Sequence, residues 1–188
     1  MCGIMSKRKI TSKEKILKSI CLGARKYKKV FLNYEYQITS KSFSLQKIYI
    51  ISATKSNYLH LTGVHTRLSA IEFYERAYKK TLTIQDFDYN KKGQSAKIVM
   101  GSVKCKVKFL PHLEKIFSKT TVVEEKFVKG QISCTFAVSE NSFTLGFIAV
   151  PVCRPKTLLK GNKLKNPSQI DSLKRRKKGT TVFKDFLK

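Results

Sequence analysis

His60 lies in the run Tyr58-Leu59-His60-Leu61-Thr62-Gly63-Val64, directly ahead of a strong helix signal. A histidine changes charge near neutral pH, so it can take or give a proton under cellular conditions. His65 and Arg67 follow in the same loop, and Tyr74 lies on the helix beyond. These residue types could cleave an RNA phosphodiester without a metal. A base would take the ribose 2′-hydroxyl proton, an acid would protonate the departing 5′-oxygen, and a cation would stabilise the charged phosphorane. His60 is the first candidate for proton transfer, and His65, Arg67 and Tyr74 are the further catalytic candidates. The alternative for His60 is a core histidine whose ring bonds a backbone carbonyl. Lys97 and Arg154 are candidates for phosphate contact.

The elements around His60 set where it would sit. Alternation and β-propensity predict a half-buried strand over 58–64, with Gly63 permitting a turn, so the imidazole is expected at a strand end. Ser69-Ala70-Ile71-Glu72 has the form of a capping box and opens a helix. Its apolar face is Ala70, Phe73, Tyr74 and Ala77, with Glu75, Arg76, Lys79 and Lys80 toward water.

Charge points to the partner. Thirty-nine Lys and Arg against twelve Asp and Glu leave +27 on 188 residues. Such a surface binds phosphate backbones through counterion release, whatever the base sequence. At 41% hydrophobic and 11% aromatic the chain is not a bare cationic tail. No Lys-rich amphipathic helix bearing Trp marks a membrane surface, and no apolar run approaches the ~20 residues that span a bilayer. The N-terminus lacks the order of a signal peptide, so a cytoplasmic location is expected. Cys2, Cys21, Cys105, Cys134 and Cys153 form no C-x-x-C pair and read as reduced, buried small hydrophobes. No finger spacing joins them to His60, His65 or His112, and no P-loop, dinucleotide, serine-hydrolase or zincin motif occurs. No metal or cofactor is expected. The pairs Asp86 with Asp88 and Glu124 with Glu125 read as solvated loop acids.

The chain divides into a basic leader (1–10), a domain (11–158) and a basic C-terminal arm (159–188). Thr11-Ser12-Lys13-Glu14 is a capping box opening a longer helix, with the stripe Ile16, Ile20, Ala24, Tyr27 and Phe31, ending around Leu32 to Glu35. A β-rich stretch, 43–52, is expected to form a hairpin with the His60 strand. Residues 96–109 read as two strands broken at Gly101. In the second, Val103, Cys105, Val107 and Phe109 alternate with Lys104, Lys106 and Lys108, which puts three lysines on one sheet face. That row is either a phosphate-binding surface or a lysine-protected edge strand. Pro111 starts a short helix, Val122 to Phe127 is a strand, and 133–138 pairs with 143–150 as a hairpin. From Pro151 onward twelve Lys or Arg face only Asp171 and Asp185. The run Lys174-Arg175-Arg176-Lys177-Lys178 is expected to stay mobile until it meets an anion, with RNA as that anion. The fold class is α+β: N-terminal helices followed by an antiparallel β-sheet, with the basic arm appended.

The order Leu59-His60-Leu61-Thr62-Gly63-Val64, the interval to Ala70 and Phe73-Tyr74-Glu75, then Leu82 and Asp86-Phe87, resembles a known family. This is the fourth phage-associated type of the barnase/EndoU/colicin/RelE-like nuclease superfamily. The resemblance is strongest over 58–88 and extends to about 158. It implies helices ahead of an antiparallel sheet and a metal-independent ribonuclease carried by a phage or other mobile element, with His60 as the motif residue. His65 and Arg67 are chosen from chemistry alone. The alternative is a non-enzymatic anti-defence protein that occupies RNA or a ribonucleoprotein, such as the guide RNA or the effector complex of a CRISPR system.

Overall fold

In the computed structural model of the chain, residues 10–186 are described. Most of the basic leader, along with Cys2 and Leu187, lies outside them. Helix α1 (Ser12–Tyr27) begins as its capping box requires: the Thr11 hydroxyl accepts from the Glu14 amide at 3.2 Å, and the Glu14 carboxylate accepts from the Thr11 amide at 2.7 Å. Ile16, Ile20, Ala24, Tyr27 and Phe31 are all buried. The helix continues into a π-helical turn, Lys28–Leu32.

Strands β1 (Tyr34–Thr39) and β2 (Tyr49–Ile51) follow, then helices α2 (Asn57–Thr62), α3 (Ala70–Lys79) and α4 (Ala96–Val107). A 3-10 segment, Leu110–Ile116, carries Pro111 in its first turn. The remaining elements are β3 (Val122–Glu125), β4 (Val128–Lys129), β5 (Ile132–Ser133), β6 (Phe136–Glu140), β7 (Phe143–Val150), β8 (Val152–Lys160), β9 (Ser168–Gln169), β10 (Ser172–Lys177) and β11 (Lys184–Asp185). The fold is α+β, with the helices ahead of a large, mostly antiparallel sheet.

Nine strands hydrogen-bond in the order β11-β10-β1-β2-β8-β7-β6-β3-β9. Only β2 and β8 pair in parallel among the described residues. β9 caps one end of that order on β3, while β10 pairs with β1 near the other end. Yet only Ile170 and Asp171 separate β9 from β10. The sheet must therefore curl until its two ends approach. Two bonds fasten the join: Ser40 Oγ donates to the Gln169 carbonyl at 2.7 Å, and the Asp171 amide donates to the Thr39 carbonyl at 3.0 Å. Such curling leaves fewer open edges to aggregate. Residues 168–177 form its seam.

The helices fill one side of this sheet. Tyr27 packs 5.1 Å from Tyr58 and 6.0 Å from Tyr74 between ring centroids, and Phe31 lies 6.1 Å from Phe117 and 6.4 Å from Phe147. Aromatic pairs at such spacings contribute ~0.5–1.5 kcal/mol each beyond the area they bury.

Three expectations are corrected. Residues 58–64 are helix and turn, because Tyr58, Leu61 and Thr62 point inward at helical spacing and Gly63 (φ 74°) is the left-handed cap. Residues 96–107 are one helix, capped by the Ser95 hydroxyl and buried along Val99, Val103 and Val107. The alternation with lysine is thus incidental, and Cys105 is exposed rather than buried. The C-terminal segment is not an arm. Its basic run is the strand β10, with Leu173 buried and Phe186 packed 5.8 Å from Tyr36.

Candidate active site

Helix α2 is short and anchored through its first two residues. The Asn57 side-chain carbonyl accepts from the Thr54 amide at 2.8 Å and from its hydroxyl at 2.9 Å. Tyr58, fully buried, donates its hydroxyl to the Ile20 carbonyl at 2.6 Å. With Tyr58, Leu61 and Thr62 turned inward, helical periodicity turns His60 outward. His60 is exposed, in the last turn of α2, and is not a core histidine.

The opposite wall is α4. Val99, Ser102 and Lys106 share one face of that helix and, with Lys91 and Gln94, enclose a cleft with Leu59, His60, Gly63 and Val64. The Lys106 side chain crosses directly over Gly63. A Cβ at Gly63 would stand 3.0 Å from Lys106 Cδ and 3.4 Å from its Nζ, so glycine serves both the left-handed cap and this close approach. Burial, and then the charge of Lys91, push the Lys106 pKa down. Among the described residues no carboxylate lines the cleft. Two lysines lining one hollow beside an imidazole form a site whose like charges an anion would relieve.

His65 directly follows the cleft residue Val64 in the chain and pairs with Asp88, but neither lines the cleft itself. Their backbones bond reciprocally at 3.1 and 2.8 Å, and His65 Nδ1 lies 3.2 Å from Asp88 Oδ1, which also accepts from the Asn90 amide at 2.8 Å. The segment containing Asp88 continues into Lys91 and Gln94 of the cleft. Arg67 is exposed in the bend before α3 and does not line it.

The paired acids are structural acceptors, not idle loop acids. Asp86 bonds Arg76 at 3.0 Å and the Thr83 amide and hydroxyl at 2.7 and 2.9 Å. Glu124 accepts from the Lys165 amide at 2.6 Å. Glu125 accepts from Ser44, Leu45 and the Tyr49 hydroxyl.

The other candidates disperse. Tyr74 is 2% exposed and belongs to the aromatic core; burial, then its neighbours Tyr78 and Glu75, raise its pKa to about 12. Lys97 is exposed on α4, away from the stripe that faces the cleft. Lys104 and Lys108 face a different hollow, beside Lys15 of α1 and His112. Lys106 alone of the three enters the cleft.

Arg154 and Arg176 lie on the sheet, in one cross-strand row. Strand register aligns Arg176, Glu35, Ser52 and Arg154 across β10, β1, the end of β2 and β8, on the face opposite Tyr36, Ile51 and Cys153. Arg176 Nε donates to Glu35 at 2.7 Å. Burial alone would raise the Glu35 pKa, but the Ser52 hydroxyl and Arg176 together hold it below the usual carboxylate value. Arg154 Nε is buried without a partner. Lys174 occupies the same face of β10 opposite Gln37, and Lys178 donates to the Ala53 carbonyl. Arg175 and Lys177 occupy the other face of β10. The sequence offered no local signal for Glu35, because only long-range register places it here. Gln94, Ser102 and Lys91 were missed in the same way: they become cleft residues only once 96–107 is a helix.

Residues 19–185 match the family described as phage-Barnase-EndoU-ColicinE5/D-RelE like nuclease4. The chain belongs to this family. That membership spans most of the described chain, includes β10, and supports a nuclease function in general. No curated protein and no solved structure matches. Among the described residues no helix is long and apolar enough to cross a membrane, and no group of three or more His, Cys, Asp or Glu is placed to hold a metal ion.

Proposed function

We propose that the chain is a metal-independent RNA endonuclease of a phage or mobile element, acting in the cytoplasm on RNA or a ribonucleoprotein. One observation carries this reading: the motif histidine, His60, is exposed and lines a cleft whose opposite wall presents Lys106 and Lys91 without a carboxylate. A phosphodiester bound there would place its anionic oxygens between two cations and its ribose toward an imidazole. His60 takes the proton from the 2′-hydroxyl, and the freed oxygen attacks phosphorus. Lys106 and Lys91 stabilise the phosphorane. The bond to the 5′-oxygen breaks as an acid protonates that oxygen, leaving a 2′,3′-cyclic phosphate and a 5′-hydroxyl. We assign this acid role to His65, which Asp88 orients through Nδ1.

Incubation with total cellular RNA, with and without EDTA, tests the reading. Cleavage is expected and EDTA is expected to leave its rate unchanged, since no step passes through a metal. Cleavage that stops in EDTA would contradict the mechanism. Failure to cleave any RNA would favour the non-enzymatic anti-defence binder.

A further inference from the structure

A second cationic surface shares no lining residue with the His60 cleft. At the C-terminal end of α1 and its π-helical turn, Arg25, Lys28 and Lys29 meet Tyr78 and Lys79 of α3 and Asn33 around one hollow. A second hollow lies along β10 and β11, lined by Tyr34, Arg175, Lys177 and Lys184, with Asp185 as its only carboxylate among the described residues. The two adjoin. Asn33 and Tyr34 are consecutive, Tyr34 pairs with Lys177 across the strands, and the Lys178 amide donates to the Asn33 carbonyl at 3.0 Å. The result is one track from α3 to the sheet edge.

Its charges are largely uncommitted. Among the described residues no carboxylate lies within ion-pair distance of Arg25, Lys29, Lys177 or Lys184, so neutralisation within the fold does not explain them. Rings accompany the charges. Lys28 stands 4.6 Å over the Tyr78 ring, and Arg175 is sandwiched 4.3 Å from both Tyr34 and Phe186. Tyr34, Tyr78 and Phe186 are each half-buried rather than enclosed, so ring surface remains at the groove wall. Cations that follow a backbone, interleaved with half-exposed aromatic rings, suit an unpaired strand whose bases can stack; a duplex offers no free base faces.

We propose that this track binds a single-stranded segment of the RNA substrate outside the cleavage cleft, so that the enzyme holds its substrate at two places. The proposal rests on the RNA reading above but is tested by binding alone. In a His60→Ala background, which prevents turnover, affinity for a labelled single-stranded RNA is measured across salt concentrations. Two variants are compared with that parent: Arg25→Gln/Lys29→Gln/Lys79→Gln and Lys177→Gln/Lys184→Gln. Each lost phosphate contact should flatten the salt dependence by ~0.7 in log–log slope, so the triple variant should lose about 2.1 and the double variant about 1.4. Melting temperatures confirm that each variant folds, and a variant that fails to fold leaves the other to decide. Unchanged slopes in folded variants would overturn the track while leaving the cleavage reading intact. Stronger binding of duplex DNA than of single-stranded RNA, with the same slope losses, would overturn its assignment to an unpaired strand. Loss of slope in a protein whose wild type does not cleave RNA would uphold the track and sink only the cleavage reading.

Discussion

Replacing His60 by alanine is expected to lower RNA cleavage by about 10²–10⁴-fold, the usual worth of a positioned proton-transfer group. Melting temperature and RNA affinity should hardly change. The residue is exposed on the outer face of α2, so its removal opens no cavity. Lys106→Gln provides the complementary result. It removes a cation aimed at the phosphorane, and loss of one such group costs about 10²–10³ in turnover. Because Lys106 is partly buried and opposed by Lys91, its loss also relieves repulsion, and the variant should be no less stable than wild type. Single-turnover kinetics beside thermal melts separate these effects. A His60→Ala protein that cleaves at the wild-type rate removes His60 from the mechanism. One that merely unfolds would return it to a structural role.

Deletion of residues 166–188 is expected to abolish the fold. Composition alone reads as an appended basic arm, but the segment closes the curled sheet. Its loss strips β9 from β3 and β10 from β1, exposes the Ile38 and Tyr36 side of β1, and removes Leu173 from the core. It also frees the Glu35 carboxylate from Arg176, with which it shares a 2.7 Å bond. Removing one partner of a partly buried charged bond is costly even before the lost apolar contacts are counted. Circular dichroism and limited proteolysis of the truncated chain should show no cooperative melt. A melt close to that of the full chain would mean that β10 and β11 contribute little and that the seam is incidental.

Local signals were legible where one rule dominated. The Thr11 capping box and the stripe from Ile16 to Phe31 specify α1 without help from the rest of the chain. Ser69 likewise starts α3, although Glu72 bonds Arg76 at 2.7 Å instead of returning to the cap. The hairpin of β6 and β7 follows from inward-facing Phe143, Leu145 and Phe147. The misreadings came from residues that satisfy two periods at once. Val103, Cys105 and Val107 alternate like a strand, but Val99, Val103 and Val107 also repeat like a helix, and the Ser95 cap decides between them. Gly63 marks a break under either reading; its meaning depends on whether the chain before it is helix or strand. The basic run at 174–178 looked solvated because charge is a local property. Its place beside β1 depends on Tyr34 and Phe186, which sandwich Arg175 from distant positions in the chain. The same limit applies to the cleft, where His60 was visible from its motif and Lys106 from its lysine row, while Lys91, and the separation of Lys106 from Lys104 and Lys108, required the fold.

The most direct test of the account uses an RNA of mapped cleavage site in which the single ribose 5′ to the cut is replaced by deoxyribose. The substitution removes the attacking 2′-oxygen and leaves the phosphates and bases in place, so binding is preserved while the nucleophile is gone. Cleavage at that bond should cease in the wild-type protein, and the unsubstituted RNA should yield a 2′,3′-cyclic phosphate and a 5′-hydroxyl. Cleavage of the deoxy-substituted bond at the normal rate, or products bearing a 5′-phosphate, would contradict the mechanism assigned to His60.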